Sequence, residues 1–459
     1  MKCFSIPIRG LFLLGVLVLL NSCNLFNKDD DDQEDDTGDS RTFYANNFST
    51  NKYYILNAVK VAENERCIIY RDKAWMKKLD EEKIRSTAEE YSEKIYPAIT
   101  GVFGECADID ENGKLIILLL DIVDGATVSS GSYIAGYFNP GDMSTDTSSG
   151  KGEILYMDIN EGKLGSDEFN VTLAHEFQHL LRYSAFMQTG VYSEIWLDEG
   201  LSTAAEYVYL GKHLTSTYSY YNLDPYESIA GGNTFFYWEG TDLADYATAY
   251  LFFQWLRIQA ATVDDPDGYN IYRTIGNAPH PGAQAVVDAA VTLIDTNLDS
   301  WDKLLRAWFT ANYMNIPSKD AANGLYGYNG DIVDLTIHPY SGSGTTVSLL
   351  PGEGVYSAIK NNSFPLSGSS GSHIAYGDIS NGQEPIFDPP SNNYSGEYLL
   401  TYNGNKDSTV SKPVFRPPSE IGQITGVKFP SSPAAPSRSA SDTSAPRRID
   451  GTSLLPPRP

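Results

Sequence analysis

The sequence predicts an α+β fold in which a strand-rich N-terminal lobe precedes a helical lobe, and a small β-rich domain follows both. Short apolar runs mark the N-terminal lobe, and the most continuous of them is KLIILLLDI at residues 114–122. From Ser166 to Met314, apolar residues recur mainly at the three- and four-residue spacing of a helical face. Residues 330–425 are rich in Gly, Ser and Thr, with short alternating runs that favour β-structure.

Local patterns predict the elements of the N-terminal lobe. Strands are expected within residues 53–70, 114–122, 133–138 and 153–159. A helix is expected over Lys73–Gly101, where apolar residues keep helical spacing.

The helical lobe is predicted to contain five helices. Ser166 or Asp167 caps the first, whose opening turn carries the acids that the helix dipole favours. The predicted ranges are 166–187, 194–210, 244–260, 283–294 and 301–314.

The N-terminus has the pattern of an export signal. Lys2 and Arg9 precede the apolar run LFLLGVLVLL, and the next residues, Leu20-Asn21-Ser22-Cys23, resemble a bacterial lipobox. We therefore expect a signal peptide over 1–22 and lipidation of Cys23, which would attach the chain to the membrane of a bacterial cell envelope. The alternative is an ordinary signal peptide followed by a cysteine without a role.

Charge and composition divide the rest of the chain. The 59 acidic and 33 basic side chains give a net charge of −26, which argues against nucleic acid as a partner. Residues 23–42, which include DDDDQEDD, are predicted to be a disordered acidic tether. The main folded domain is expected over 43–328, a β-rich domain over 329–425 and a disordered Pro/Ser-rich tail over 426–459.

Cys67 and Cys106 are the cysteines left after the signal peptide and Cys23. In an oxidising compartment they could form one disulfide, and the alternative is two buried thiols. Either way the fold must depend on its apolar core.

The clearest chemical signal is His175-Glu176-Phe177-Gln178-His179, an H-E-x-x-H sequence within a predicted helix. Positions i and i+4 lie on one helical face, so both imidazoles can reach one zinc ion. Glu176 is then placed to act as general base on a metal-activated water. The pattern alone is weak, because two histidines on a helix need not bind metal.

A third ligand strengthens this interpretation. Glu199 lies 20 positions after His179, which leaves room for a turn and a second helix that returns its carboxylate to the metal. Two His and one Glu, with a position left for water, is the open arrangement of catalytic zinc. The sequence thus predicts one catalytic Zn²⁺ held by His175, His179 and Glu199.

The motifs resemble those of the gluzincins, the zinc metallopeptidases with two His and one Glu ligand. HEFQH and the later WLDEGLSTAAEY (196–207) are most similar to the hyicolysin family. The resemblance covers about residues 105–315 and implies a thermolysin-like peptidase domain. In one departure from the family pattern, Asp198 stands where Asn is usual, so it could orient a ligand or compete for the metal.

The resemblance also suggests supporting parts. Tyr246 opens a helix similar to one that begins with a catalytic tyrosine, and it is the preferred oxyanion donor, with Tyr237 and Tyr250 as competitors. Glu206 or Asp198 would orient the imidazoles. An extended polypeptide substrate would pair with an edge strand, supplied by 152–159 or 131–138.

Calcium is a weaker candidate. Asp108, Asp110, Asn112 and Gly113 look like half of a calcium loop, but Leu119 stands where an EF-hand needs Glu. A turn feeding a strand is the preferred interpretation.

Together these patterns predict an extracytoplasmic zinc peptidase. An endopeptidase is favoured because no Gly-Ala-Met-Glu-Asn type sequence for binding a free amine precedes His175. The rival is a non-catalytic surface lipoprotein, an adhesin or assembly factor, on a peptidase-like fold. The sequence leaves the natural substrate, the membrane face and the oligomeric state open.

Overall fold

A computed structural model describes most of the chain after the first 38 residues. The expected signal peptide, Cys23 and most of the acidic tether lie outside the described residues. The described residues are 39–75, 77, 79–126, 133–143, 151–191, 193–214, 234–236, 243–280, 282–337, 339, 346–347, 349, 351–359, 367–368, 374–388, 394–406 and 425–429.

A mixed, seven-stranded sheet forms the N-terminal lobe. In sheet order its strands are β1 (Ser40–Asn47), β2 (Lys52–Glu63), β3 (Cys67–Asp72), β4 (Leu115–Leu120), β6 (Ile154–Asp158), β5 (Tyr133–Phe138) and β13 (Thr425–Phe429). β4 runs parallel to β3 and β6, and the other pairs are antiparallel. All six residues of β4 are buried, as expected for a strand covered on both faces.

The two faces of the sheet pack against different parts of the protein. Leu115, Ile117 and Leu119 join the core that the helices share. Ile116 and Leu118 instead join a core with β1 and β2. On this second face, side chains of β6 and β5 form hydrogen bonds with the backbone of β1. Tyr156 Oη donates to the Tyr44 carbonyl at 3.2 Å, and the Asn46 N–H donates to Tyr137 Oη at 3.0 Å.

The helix predicted from Lys73 begins later. It consists of α1 (Glu81–Glu90), a π-helical turn (Tyr91–Ile95) and α2 (Tyr96–Phe103). Asp80 sets the start, because its side chain accepts a hydrogen bond from the Glu82 N–H at 3.0 Å.

In the described part of the helical lobe, the five predicted helices are present together with one more. They are α3 (Asp167–Thr189), α4 (Ile195–Leu210), α5 (Leu243–Ala260), α6 (Asn270–Gly276), α7 (Ala283–Leu293) and α8 (Trp301–Met314). Ser166 caps α3 by accepting from the Phe169 N–H at 3.2 Å, and Gly190 ends it with φ 71°. The predicted strand-rich and helical lobes are therefore confirmed.

The β-rich region packs on the helical lobe. Its four-stranded sheet has the order β11 (Ile386–Phe387), β10 (Ile374–Ile379), β12 (Tyr398–Asn403) and β8 (Gly354–Ala358), and a separate pair joins β7 (Thr346–Val347) to β9 (Ser367–Gly368). Tyr356 Oη donates to the carbonyl of Phe309 on α8 at 2.7 Å. Tyr356 and Tyr402 also belong to the core of the helical lobe.

Two segments expected to be disordered contain strand. β1 begins at Ser40, inside the range given to the tether, because Phe43 and Ala45 are buried on one face while the backbone pairs with β2. Residues 425–429 form β13 at the start of the range given to the tail, through backbone pairing with β5.

The two cysteines are separate thiols. Cys67 is buried and Cys106 is half-buried. Burial raises the pKa of the Cys67 thiol to about 12, so it is protonated at neutral pH. Within the described part of the chain, no helix is both long and apolar enough to cross a bilayer.

Candidate metal centre

Helices α3 and α4 bring the three predicted ligands together. His175 and His179 lie one turn apart on α3, and Glu199 comes from the second turn of α4. Glu199 Oε2 is 3.3 Å from Nε2 of His175 and 3.4 Å from Nε2 of His179. All three side chains are buried, so the cluster lies inside the protein.

Close packing behind α4 depends on Gly200, which the sequence did not single out. A Cβ added to Gly200 would lie 2.3 Å from the ring of Phe253 on α5. The missing side chain therefore lets the aromatic ring of α5 press against the backbone next to Glu199.

The far sides of both imidazoles meet oxygen atoms of α4. His175 Nδ1 is 2.8 Å from Glu206 Oε1, and His179 Nδ1 is 3.0 Å from Asp198 Oδ2. Sequence reasoning left Glu206 and Asp198 as alternatives, and the structure has both in place. Acceptors at Nδ1 keep the proton there, which leaves Nε2 of each ring as an electron-pair donor.

Electrostatics favour positive charge between these groups. Burial lowers the pKa of His175, but hydrogen bonds with Glu199 and Glu206 outweigh it and raise the pKa to about 9. Burial raises the pKa of Glu199, but the charge of His179 and a hydrogen bond with His175 lower it to about 2. A pocket that stabilises imidazolium in this way also stabilises a bound cation.

The donor set fits a zinc ion. Nε2 of His179 is buried without a hydrogen-bond acceptor, although Glu199 Oε2 lies 3.4 Å away. Two imidazole nitrogens and one carboxylate oxygen are ligands that zinc takes in catalytic sites. The ligand atoms of the three residues lie within 4.8 Å of one another, so one ion could contact all of them.

Two other predicted residues lie beside the cluster. Glu176 is fully buried and follows His175 on α3. The Tyr246 ring, on α5, has its centroid 6.3 Å from that of His175. Burial, and then the charges of Glu199 and Glu176, raise the pKa of Tyr246 well above its usual range. The phenol therefore stays protonated and can donate a hydrogen bond.

The competitors of Tyr246 are placed differently. Tyr250 Oη lies 2.6 Å from Nδ1 of His213, whose Nε2 is 3.2 Å from Asp331. Tyr237 lies outside the described residues. Of the tyrosines considered in the described ranges, Tyr246 is the one in ring contact with a candidate ligand.

Strand order places both candidate edge strands inside the sheet. β6 lies between β4 and β5, so both its sides are paired and it cannot accept an extended chain. The outer side of β5 pairs with β13, from Thr425 opposite Phe138 to Phe429 opposite Tyr133. Any peptide that pairs with β5 over this range must compete with residues 425–429.

The candidate calcium loop is a hydrogen-bonded turn. Asp108 accepts from the N–H groups of Asn112 and Gly113, each at 3.1 Å. Oxygens of Asp108, Asp110 and Glu153 lie within 4.8 Å of one another. These contacts agree with the preferred interpretation as a turn, and calcium stays a prediction.

The fold and the site together define a class of protein in which a strand-rich lobe and a helical lobe accompany a buried His-His-Glu cluster, carried by two consecutive helices, that could hold a metal ion. No protein-family model matches the chain. The chain is similar to the neutral metalloprotease ShpI of Staphylococcus hyicus, with 33% identity over 264 residues. The match covers 55% of this chain and 57% of ShpI, so the chain spans little more than half of that relative. The resemblance to a metallopeptidase predicted from the motifs is confirmed.

Among solved structures, a mutant M1 zinc metallopeptidase of Deinococcus radiodurans is similar over 58% of this chain and 51% of its own. The identity is 13% and the TM-score is 0.32, which is too low to establish a shared fold.

Proposed function

We propose that the protein is a zinc-dependent endopeptidase that cleaves polypeptides outside the cytoplasm. The observation that carries this proposal is the convergence of His175, His179 and Glu199 in a buried cluster, with Glu176 adjacent to the first ligand. The similarity to a neutral metalloprotease supports the same chemistry.

Each residue then has a defined task. A zinc ion held by His175, His179 and Glu199 would supply Lewis acidity toward a scissile carbonyl and a water molecule. Glu176 accepts the proton of the attacking water and passes it to the leaving amine. The protonated phenol of Tyr246 donates a hydrogen bond to the oxygen that gains negative charge. Glu206 and Asp198 hold the two imidazoles in the ligating tautomer.

The location and cleavage mode are supported by the sequence. A signal peptide and a lipid on Cys23 would anchor the enzyme to the bacterial cell envelope. The absence of a Gly-Ala-Met-Glu-Asn type sequence before His175 favours cleavage within chains over removal of N-terminal residues. Activity confined to substrates with a free N-terminus would overturn the endopeptidase assignment.

Zinc removal tests the function directly. We expect the purified chain from residue 39 onward to hold about one zinc ion and to cleave an unstructured protein substrate. A chelator should abolish cleavage, and added zinc should restore it, because the metal is needed for the reaction. A protein that binds no zinc and cleaves nothing in a peptide library would instead support the non-catalytic surface lipoprotein.

Pairing between β13 and β5 leads to a second expectation. Neighbouring N–H groups of an antiparallel strand point to opposite sides, so one of the N–H groups of Gly426 and Val427 faces β5. Replacing both residues by Pro removes both N–H groups and should therefore weaken the pairing between β13 and β5. The full-length double variant should have a KM for long peptides lowered by about threefold or more at unchanged zinc content, because substrate no longer competes with the strand. An unchanged or higher KM would show that β13 does not compete with substrate.

A further inference from the structure

Nδ1 of His179 has two close oxygen contacts, whereas Nδ1 of His175 has one among the described residues. Ser202 Oγ lies 3.0 Å from Nδ1 of His179, the same distance as Asp198 Oδ2. Asp198 and Ser202 are four positions apart on α4, so both face the ring from one side of that helix. Ser202 is fully buried, which leaves its hydroxyl dependent on protein partners.

The direction of the Ser202 hydrogen bonds is set by Gln178. The Ser202 hydroxyl donates to the side-chain carbonyl oxygen of Gln178, which is also buried. A hydroxyl has one hydrogen, so once that hydrogen is given to Gln178 the oxygen can only accept. It therefore accepts from His179 Nδ1–H, as the Asp198 carboxylate does.

Two acceptors constrain the imidazole more than one does. With Asp198 alone, the ring could pivot about a single hydrogen bond and carry Nε2 away from Glu199. With a second acceptor at the same distance, a pivot that shortens one hydrogen bond lengthens the other. Fixing the proton on Nδ1 also keeps the electron pair of Nε2 directed at the metal position.

We propose that Ser202 and Gln178 form a positioning pair that fixes the tautomer and orientation of His179 and so strengthens metal binding. The inference rests on the proposed function only in taking the ion to be zinc. It concerns neither the ligands themselves nor the carboxylates Asp198 and Glu206.

The first test is Ser202→Ala in the otherwise intact chain, with the zinc Kd measured by competition against a chelator. We expect binding to weaken about 10-fold, the lower end of the effect of removing an outer partner of a zinc ligand. Thr203→Val is the matched control: Thr203 is equally buried on α4, but its hydroxyl donates to the Gly200 carbonyl at 3.0 Å. This control should bind zinc within about twofold of wild type.

A spectroscopic readout separates positioning from general destabilisation. In zinc-loaded protein with ¹⁵N-labelled histidine, Ser202→Ala should shift the Nδ1–H resonance of His179. The resonance of His175, whose Nδ1 faces Glu206, should stay in place and serves as an internal reference.

Gln178→Met supplies an independent variant in case Ser202→Ala does not fold. It removes the acceptor of the Ser202 hydrogen, so it should weaken zinc binding in the same direction. If Ser202 and Gln178 act as a unit, the zinc affinity of the double variant should be no lower than that of the single variant with the lower affinity. The proposal would be overturned if Ser202→Ala left both the zinc affinity and the His179 resonance unchanged. If only Gln178→Met folds, the same result in that variant would overturn it. Wild-type protein that binds zinc tightly but cleaves no peptide would refute the proposed function and leave this inference standing.

Discussion

Replacing Glu176 by Gln is expected to lower kcat for peptide cleavage by about 10²–10⁴-fold while zinc content stays at the wild-type level. Gln has nearly the same shape as Glu but cannot accept a proton from water at neutral pH. Since Glu176 is fully buried beside His175 and is not one of the three converging ligands, its amide should leave the metal centre assembled. The measurement is kcat on a peptide substrate together with zinc per chain for each protein.

Glu168→Gln is the matched control, because Glu168 lies on the same helix but is exposed in its first turn. It should retain activity within about twofold of wild type. Equal turnover by Glu176→Gln and wild type, at equal zinc content, would eliminate the proton-transfer role of Glu176. Loss of zinc from Glu176→Gln would point to a structural role instead.

Glu199→Ala is expected to weaken zinc binding by more than about 100-fold, beyond the range seen for outer partners of a ligand. Glu199 Oε2 lies within 3.4 Å of both imidazole nitrogens, so its removal takes away the atom that the two rings share. Peptide cleavage should be lost with the metal.

Thermal unfolding gives a second readout for this variant. A ligand that binds only the folded state raises the free energy of unfolding as its concentration rises above Kd. Added zinc should therefore raise the Tm of metal-depleted wild type and of Glu168→Ala, but not that of Glu199→Ala. A variant that still binds zinc with wild-type affinity would remove Glu199 from the ligand set.

Local signals explain why much of the fold, and the convergence of the three candidate ligands, were predictable. Helix α3 begins and ends within one or two residues of its predicted ends, at the capping residues Ser166 and Gly190. Such ends are predictable because the capping hydrogen bonds are made between residues close in sequence. The ligands followed from the same logic: i, i+4 spacing places His175 and His179 on one face. Only the approach of Glu199 required knowledge of how two helices pack.

Features that depend on contacts between residues distant in the sequence were harder to predict. The position of β5 between β6 and β13 is a property of strand order, and β13 lies almost 300 residues further along the chain. The seven-residue helix α6 is too short for a periodic signal. Ser202 and Gln178 are ordinary helix residues in the sequence, and only the contact between α3 and α4 reveals the hydrogen bond that joins them.

The His-His-Glu cluster and its outer partners come from one stretch of the chain. The ligands, Asp198, Ser202 and Glu206 all lie within residues 175–206, on two helices joined by a short connection. Contacts this local cost little loop-closure entropy and form fast in folding. Tyr246 and β5 belong to separate segments, so we expect the His-His-Glu cluster to be able to hold a cation before these segments have packed against it.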